Sequence, residues 1–205
     1  MNDPRTLLSA AAALVADDGL EYAAAKQKAA RALGHRGALP TNEALEDAVR
    51  EHLAVFHADT QPQELRALRE LALPWLRRLS AFRPHLAGAA WRGTATRQSA
   101  LVVDLYCDDP KAAEIELLNR GVDFDLGAPP TARGGRGEPL DVLAVAVPCP
   151  AWREPVTLFL VVHDLDDLRG ALKPDGRGRT WRGDLAALQR LLDDDGSAEA
   201  PETGR

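Results

Sequence analysis

Hydrophobic residues recur at three- and four-residue spacing as far as about Phe82, and at strand-like spacing beyond it. Leu7, Ala11, Leu14 and Val15 make one stripe, which predicts a helix from about Asp3 to Asp17, stopped by Gly19. A second helix begins near Leu20, carries Tyr22, Ala25, Ala29 and Leu33 on one face and stops at Gly34. Thr41 is a suitable N-cap for a third helix, whose apolar face is Leu45, Val49, Leu53 and Phe56. Ala44 stands where a capping box needs Glu or Gln, but Glu43 sets a negative charge at the positive end of the dipole. The fourth helix starts around Thr60 and Pro62 and presents Leu65, Leu68, Leu71, Leu73, Leu76 and Leu79, a surface suited to packing on the other three. Pro74 within it predicts a kink.

After Pro84 the period changes. Leu86 to Trp91 is a short apolar run ending at Gly93, and Leu101 to Cys107 has strong β composition. Asp109 and Pro110 open a helix bearing Ala113, Ile115, Leu117 and Leu118, ended by Gly121. Val122 to Leu126 reads as a strand, and the loop GAPPTARGGRGEP follows it. Leu140 to Val147 and Val156 to Val162 are further strands, and Gly183 to Leu192 a closing helix. The expected fold is α+β: an all-helical N-terminal half (1–82), a mixed-sheet domain (83–192) and an acidic tail without apolar periodicity (193–205), expected to be disordered.

Composition narrows the function classes. Of 205 residues, 45% are hydrophobic and 27% charged, which suits a globular chain with a core. A net charge of −6 argues against a general nucleic-acid coat, although a local basic patch could still bind RNA. The two cysteines, Cys107 and Cys149, give no disulfide framework or zinc spacing and fit small buried hydrophobes. The leader MNDPR lacks the positive start of a secretion signal, and no apolar stretch nears the roughly 20 residues of a membrane span. A cytoplasmic protein that does not enter membranes is expected.

The segment with chemical content is WRGTATRQSALVVDLYCDDP. Alternate strand residues share a face, so two Asp flanking one residue can hold metal ions that bridge a triphosphate. The segment resembles the signature of the nucleotidyltransferase superfamily, to which DNA polymerase β and the minimal nucleotidyltransferases belong. There a Gly-Ser/Thr turn precedes a strand with two such Asp, and a later strand supplies a third. The whole chain is also similar to a bacterial nucleotidyltransferase-like family through Leu39 to Asn42, Asp59 to Pro62, Phe82 to Pro84 and Gly93 to Ala95.

The resemblance implies that Gly93 and Thr94 form the phosphate turn, with Arg97 and Ser99 beside it. It makes Asp104 and Asp141 the catalytic, Mg²⁺-holding carboxylates. Val102 occupies the slot of the first Asp, so one ligand and one negative charge are missing. Two functions follow: metal-dependent nucleotidyl transfer from a nucleoside triphosphate, or a degenerate, non-catalytic module acting through nucleotide, RNA or protein recognition. A UDP-N-acetylmuramate–alanine ligase has no support, because no Gly-Lys-Thr/Ser phosphate cradle is present and the chain is too short for three domains. The loop KPDGRGRTWR (173–182) could grip a triphosphate or a single-stranded RNA end, but its composition better fits a solvated connector whose Trp181 packs back on the core. His163, Asp164, Asp166 and Asp167 could supply a base or metal ligands. Acidic residues also gather at helix starts for dipole reasons alone.

Overall fold

The computed structural model describes residues 3–127 and 139–198, with side chains as far as residue 195. Most of the loop expected after Gly127 and the last part of the tail lie outside the described residues. Helices α1 (Pro4–Ala16), α2 (Tyr22–Ala32), α3 (Asn42–Phe56) and α4 (Gln61–Arg78) follow the apolar periodicity within a few residues. Thr41 caps α3 as expected, its hydroxyl accepting from the Ala44 amide at 3.2 Å. Helix α4 continues through Pro74.

The apolar run after Pro84 divides into β1 (His85–Ala87) and α5 (Gly88–Arg92). Then come β2 (Leu101–Cys107), α6 (Ala112–Asn119), β3 (Asp125–Leu126), β4 (Asp141–Val147), β5 (Val156–Asp164), α7 (Leu168–Ala171), β6 (Arg182–Gly183) and α8 (Leu185–Ala198). Only two residues of the expected Val122–Leu126 strand pair. Among the described residues, six strands form one mixed sheet in the order β3-β4-β5-β2-β1-β6. Only β2 and β5 run parallel; every other pair is antiparallel. An α+β architecture with a helical N-terminal region is therefore present. No helix among the described residues is long and apolar enough to cross a membrane.

Two main cores form among the described residues. Helices α1, α2 and α3 bury Leu7, Ala11, Val15, Ala25, Leu45, Val49 and Leu53 among themselves. Helix α4, expected to join them, instead packs Leu68, Ala72, Trp75 and Leu76 on one face of the sheet, against Leu86, Val103, Leu105, Leu160 and Leu188. This inner face is apolar because every second strand residue points into it. The outer face carries Ala87, Val102, Val142 and Val161.

The closing helix also exceeds expectation: α8 continues to Ala198, well into the segment expected to be disordered. Asp195 lies 2.6 Å from the Arg69 guanidinium, which is buried under α5 and donates to the Ala90 carbonyl at 3.0 Å. Asp195→Ala should therefore lower stability by about 1 kcal/mol, because it strips a buried cation of its anion while the partner is itself half exposed. Thermal melting of the two chains measures this. Identical midpoints would show that Arg69 is satisfied by carbonyls alone.

Candidate functional site

The resemblance places Asp104 and Asp141 on neighbouring strands with converging carboxylates. Pairing puts them elsewhere. Asp104 aligns with Val161 of β5 and Asp141 with Val162, so β5 separates their strands and the two side chains leave opposite faces of the sheet. They cannot share an ion in this arrangement. Asp141 sits at the start of β4, bonded to Lys111 Nζ at 3.0 Å. Asp104 is only 5% exposed, with His163 Nε2 at 2.9 Å and the Arg182 guanidinium Nη1 at 2.9 Å. At Asp104, His163 occupies Oδ1, and the Arg182 guanidinium lies against Oδ2, which accepts no hydrogen bond.

The Gly-Thr turn is likewise occupied. Gly93 ends α5 in the left-handed conformation, and the amides of Gly93 and Thr94 both donate to the Ala89 carbonyl. Gln61 donates to the Gly93 and Ala95 carbonyls at 3.4 and 3.0 Å. Thr94 is buried, with its hydroxyl 3.5 Å from that of Tyr22, whose pKa burial pushes up to about 12. No backbone donor of this turn is left for phosphate. Its bonds instead tie the helices to the sheet. The exposed Arg97 donates its amide to Glu64, and Ser99 accepts from the Thr96 amide at 3.0 Å. Nearby, Thr96 donates to the Ala16 carbonyl and Gly19 lies so close to the Gln98 carbonyl that a Cβ there would collide with it.

The polar cluster of the outer face joins residues distant in sequence. His85, Asp104, Tyr106 and His163 alternate into it from β1, β2 and β5, and Arg182 enters from the edge strand β6. Tyr106 stacks on His163 with centroids 5.3 Å apart, meets His85 edge-on and accepts from Arg182. Burial, followed by the Asp104 charge, pushes the Tyr106 phenol up to about 12. His163 is thus tied to Asp104, while Asp164 caps the next turn by accepting from the Asp166 amide.

Beside this cluster lies a cavity of about 410 Å³, between the α1–α2 connection and the start of α5. Small residues form one wall: Ala87, Gly88, Ala89 and Ala100. Glu21, Tyr22, Ser99, Arg92, Trp181 and Arg182 supply its polar and aromatic lining. Arg182 is 5% exposed, and its Nε–H has no acceptor. Desolvation raises the Glu21 carboxyl above its usual range. Of the residues that the resemblance puts in the site, only Ser99 is in this lining, while Trp181 and Arg182 come from the basic loop that the sequence offered as a triphosphate grip.

A second network fixes the cavity's far side. Glu46, fully buried on α3, receives Arg92 at 2.6 Å, Arg50 at 2.9 Å and Arg179 at 3.0 Å. Asp175 accepts from Arg92 at 2.9 Å and from the amides of Arg177 and Arg179. The Arg179 amide, with these other donors, holds Asp175 down at about 2. Burial alone would lower the Arg92 pKa, but the Glu46 and Asp175 carboxylates raise it. Arg177 grips Asp47 at 2.6 and 2.7 Å, and the Arg92 guanidinium lies 4.2 Å from the Trp181 ring centroid. The basic loop is thus a clamp between the helices and the sheet, where a solvated connector was expected. Its charge and its Trp were visible in sequence, but its acidic partners on α3 were not.

Comparison with protein-family models, curated proteins and solved structures finds no match for this chain.

Proposed function

We propose that the protein is a non-catalytic, nucleotidyltransferase-like module that binds a nucleotide-class ligand in the cavity beside Arg182. The observation that carries this reading is the cavity's lining: two buried arginines, an aromatic ring and a desolvated carboxylate facing a wall of alanine and glycine. Its volume falls in the small-molecule range. Arg182, whose Nε–H has no acceptor, suits a phosphate oxygen, Trp181 suits a base, and Glu21 is an acceptor for an amino group. Metal-dependent transfer is the weaker reading, because Asp104 is already paired with Arg182 and bonded to His163, and Asp141 leaves the opposite face of the sheet.

The test is calorimetric titration with ATP, with and without Mg²⁺. Binding should occur in both conditions, weaken about tenfold or more in Trp181→Ala, where base stacking is lost, and be unchanged in Asp141→Asn. Binding that requires Mg²⁺ and disappears in both Asp104→Asn and Asp141→Asn would return the protein to the enzymes. No ATP binding in either condition would sink the nucleotide reading.

A further inference from the structure

We propose that Asp17, His52 and His57 form a site for a divalent transition-metal ion of the zinc class. It stands on residues outside the cavity and does not depend on what the cavity binds. Asp17 is the C-cap residue of α1, His52 lies one turn from the end of α3, and His57 is the C-cap residue of α3. Packing of Leu7, Ala11 and Val15 against Val49 and Leu53 fixes the two helix ends relative to one another.

The geometry suits a metal. The Nε2 atom of His57 lies 2.7 Å from Asp17 Oδ1, that of His52 lies 3.4 Å from the same oxygen, and all three ligand atoms fall within 4.8 Å of one another. Ligands about 2.0–2.2 Å from a tetrahedral ion stand roughly 3.3 Å apart, so small rotations of the side chains would admit one. The phenyl ring of Phe56, 4.7 Å from the His52 imidazole, limits that ring's freedom.

Ligand chemistry selects the ion. Two imidazoles and one carboxylate favour zinc, cobalt or nickel, whereas magnesium prefers oxygen donors and keeps its waters. Asp17 is exposed and both histidines are partly so, which leaves an entry path and an open fourth position for water. The site has a structural consequence. Asp17 opens the α1–α2 connection, whose Gly19, Leu20 and Glu21 wall the cavity, so a bound ion would pin that wall.

The experiment uses the full chain free of any affinity tag, titrated calorimetrically with zinc and with magnesium and melted in the presence of each. One zinc per chain should bind and raise the melting temperature by several degrees, with magnesium inert. His52→Ala and His57→Ala should each weaken zinc binding about tenfold or more, and His35→Ala, a control at a histidine outside the cluster, should not. Asp17→Asn keeps size and hydrogen bonding but loses the charge, so it should lose zinc while its metal-free melting stays near wild type. Absence of stoichiometric zinc would overturn the site. So would zinc retained by the His52→Ala/His57→Ala double variant, which would place the ion elsewhere and leave only Asp–His hydrogen bonds here.

Discussion

Replacing Glu46 with alanine should lower the stability of the protein by about 3–5 kcal/mol, or roughly 6–20 °C in melting temperature. Glu46 is 0% exposed, and three guanidinium groups converge on it from α3, α5 and the loop before β6. Removal leaves a cluster of cations with Asp175 as the main remaining anion, and Arg92 is too deeply buried for water to compensate. Glu46→Gln keeps the shape and one acceptor, so its loss should be smaller. Replacing both members of the core pair with apolar residues, Glu46→Met with Arg92→Met, should recover part of the deficit, because the desolvation of both charges disappears together. Chemical denaturation midpoints at constant slope report these differences. A deficit below about 1 kcal/mol for Glu46→Ala would mean that the arginines relax onto Asp175 and carbonyls.

This network marks where sequence patterning loses its grip. Periodicity finds α1 to α4 and the strands β2, β4 and β5, because those elements are long and their apolar residues repeat. In α3 it nevertheless puts Phe56 inside, whereas Phe56 is 69% exposed at the helix end and Glu46 is the residue at the centre. The apolar-inside rule cannot foresee a buried carboxylate when two of its three cations, Arg92 and Arg179, lie 46 and 133 positions away in the chain. Strand β6 has the same difficulty: Arg-Gly carries no strand signal, and Arg182 owes its place to Asp104 and Tyr106. In α6, Ile115 and Leu118 belong to the expected apolar set yet lie exposed, while Ala113 and Leu117 are the residues that reach the core. The Asp104–Asp141 pair failed for a topological reason. Which strand lies between two others, and which face each side chain takes, is set by pairing that a motif does not encode.

Installing at position 102 the acid that the nucleotidyltransferase resemblance would expect there should damage the fold without creating a metal site. Val102 shares the outer face with Asp104, packs with Ala87, Val142 and Val161, and is 4% exposed. Val102→Asp therefore buries a carboxylate two residues from one that already exists. Arg182 carries a single charge that is already paired with Asp104, so it cannot neutralise both. The expected cost is about 3 kcal/mol or more at neutral pH. Burial and the like charge raise the folded-state pKa of the new carboxyl above its unfolded value. The deficit is therefore greatest above the folded pKa and shrinks as pH falls toward the unfolded value near about 3.9. Denaturation across this range, with and without Mg²⁺, separates the two functional readings. We expect the acid-side recovery and no effect of Mg²⁺, because His163 and Arg182 already hold Asp104. If Mg²⁺ restored the variant to wild-type stability, the outer face would be a metal-ready nucleotidyltransferase site lacking a single ligand, and the binding-module reading would fall.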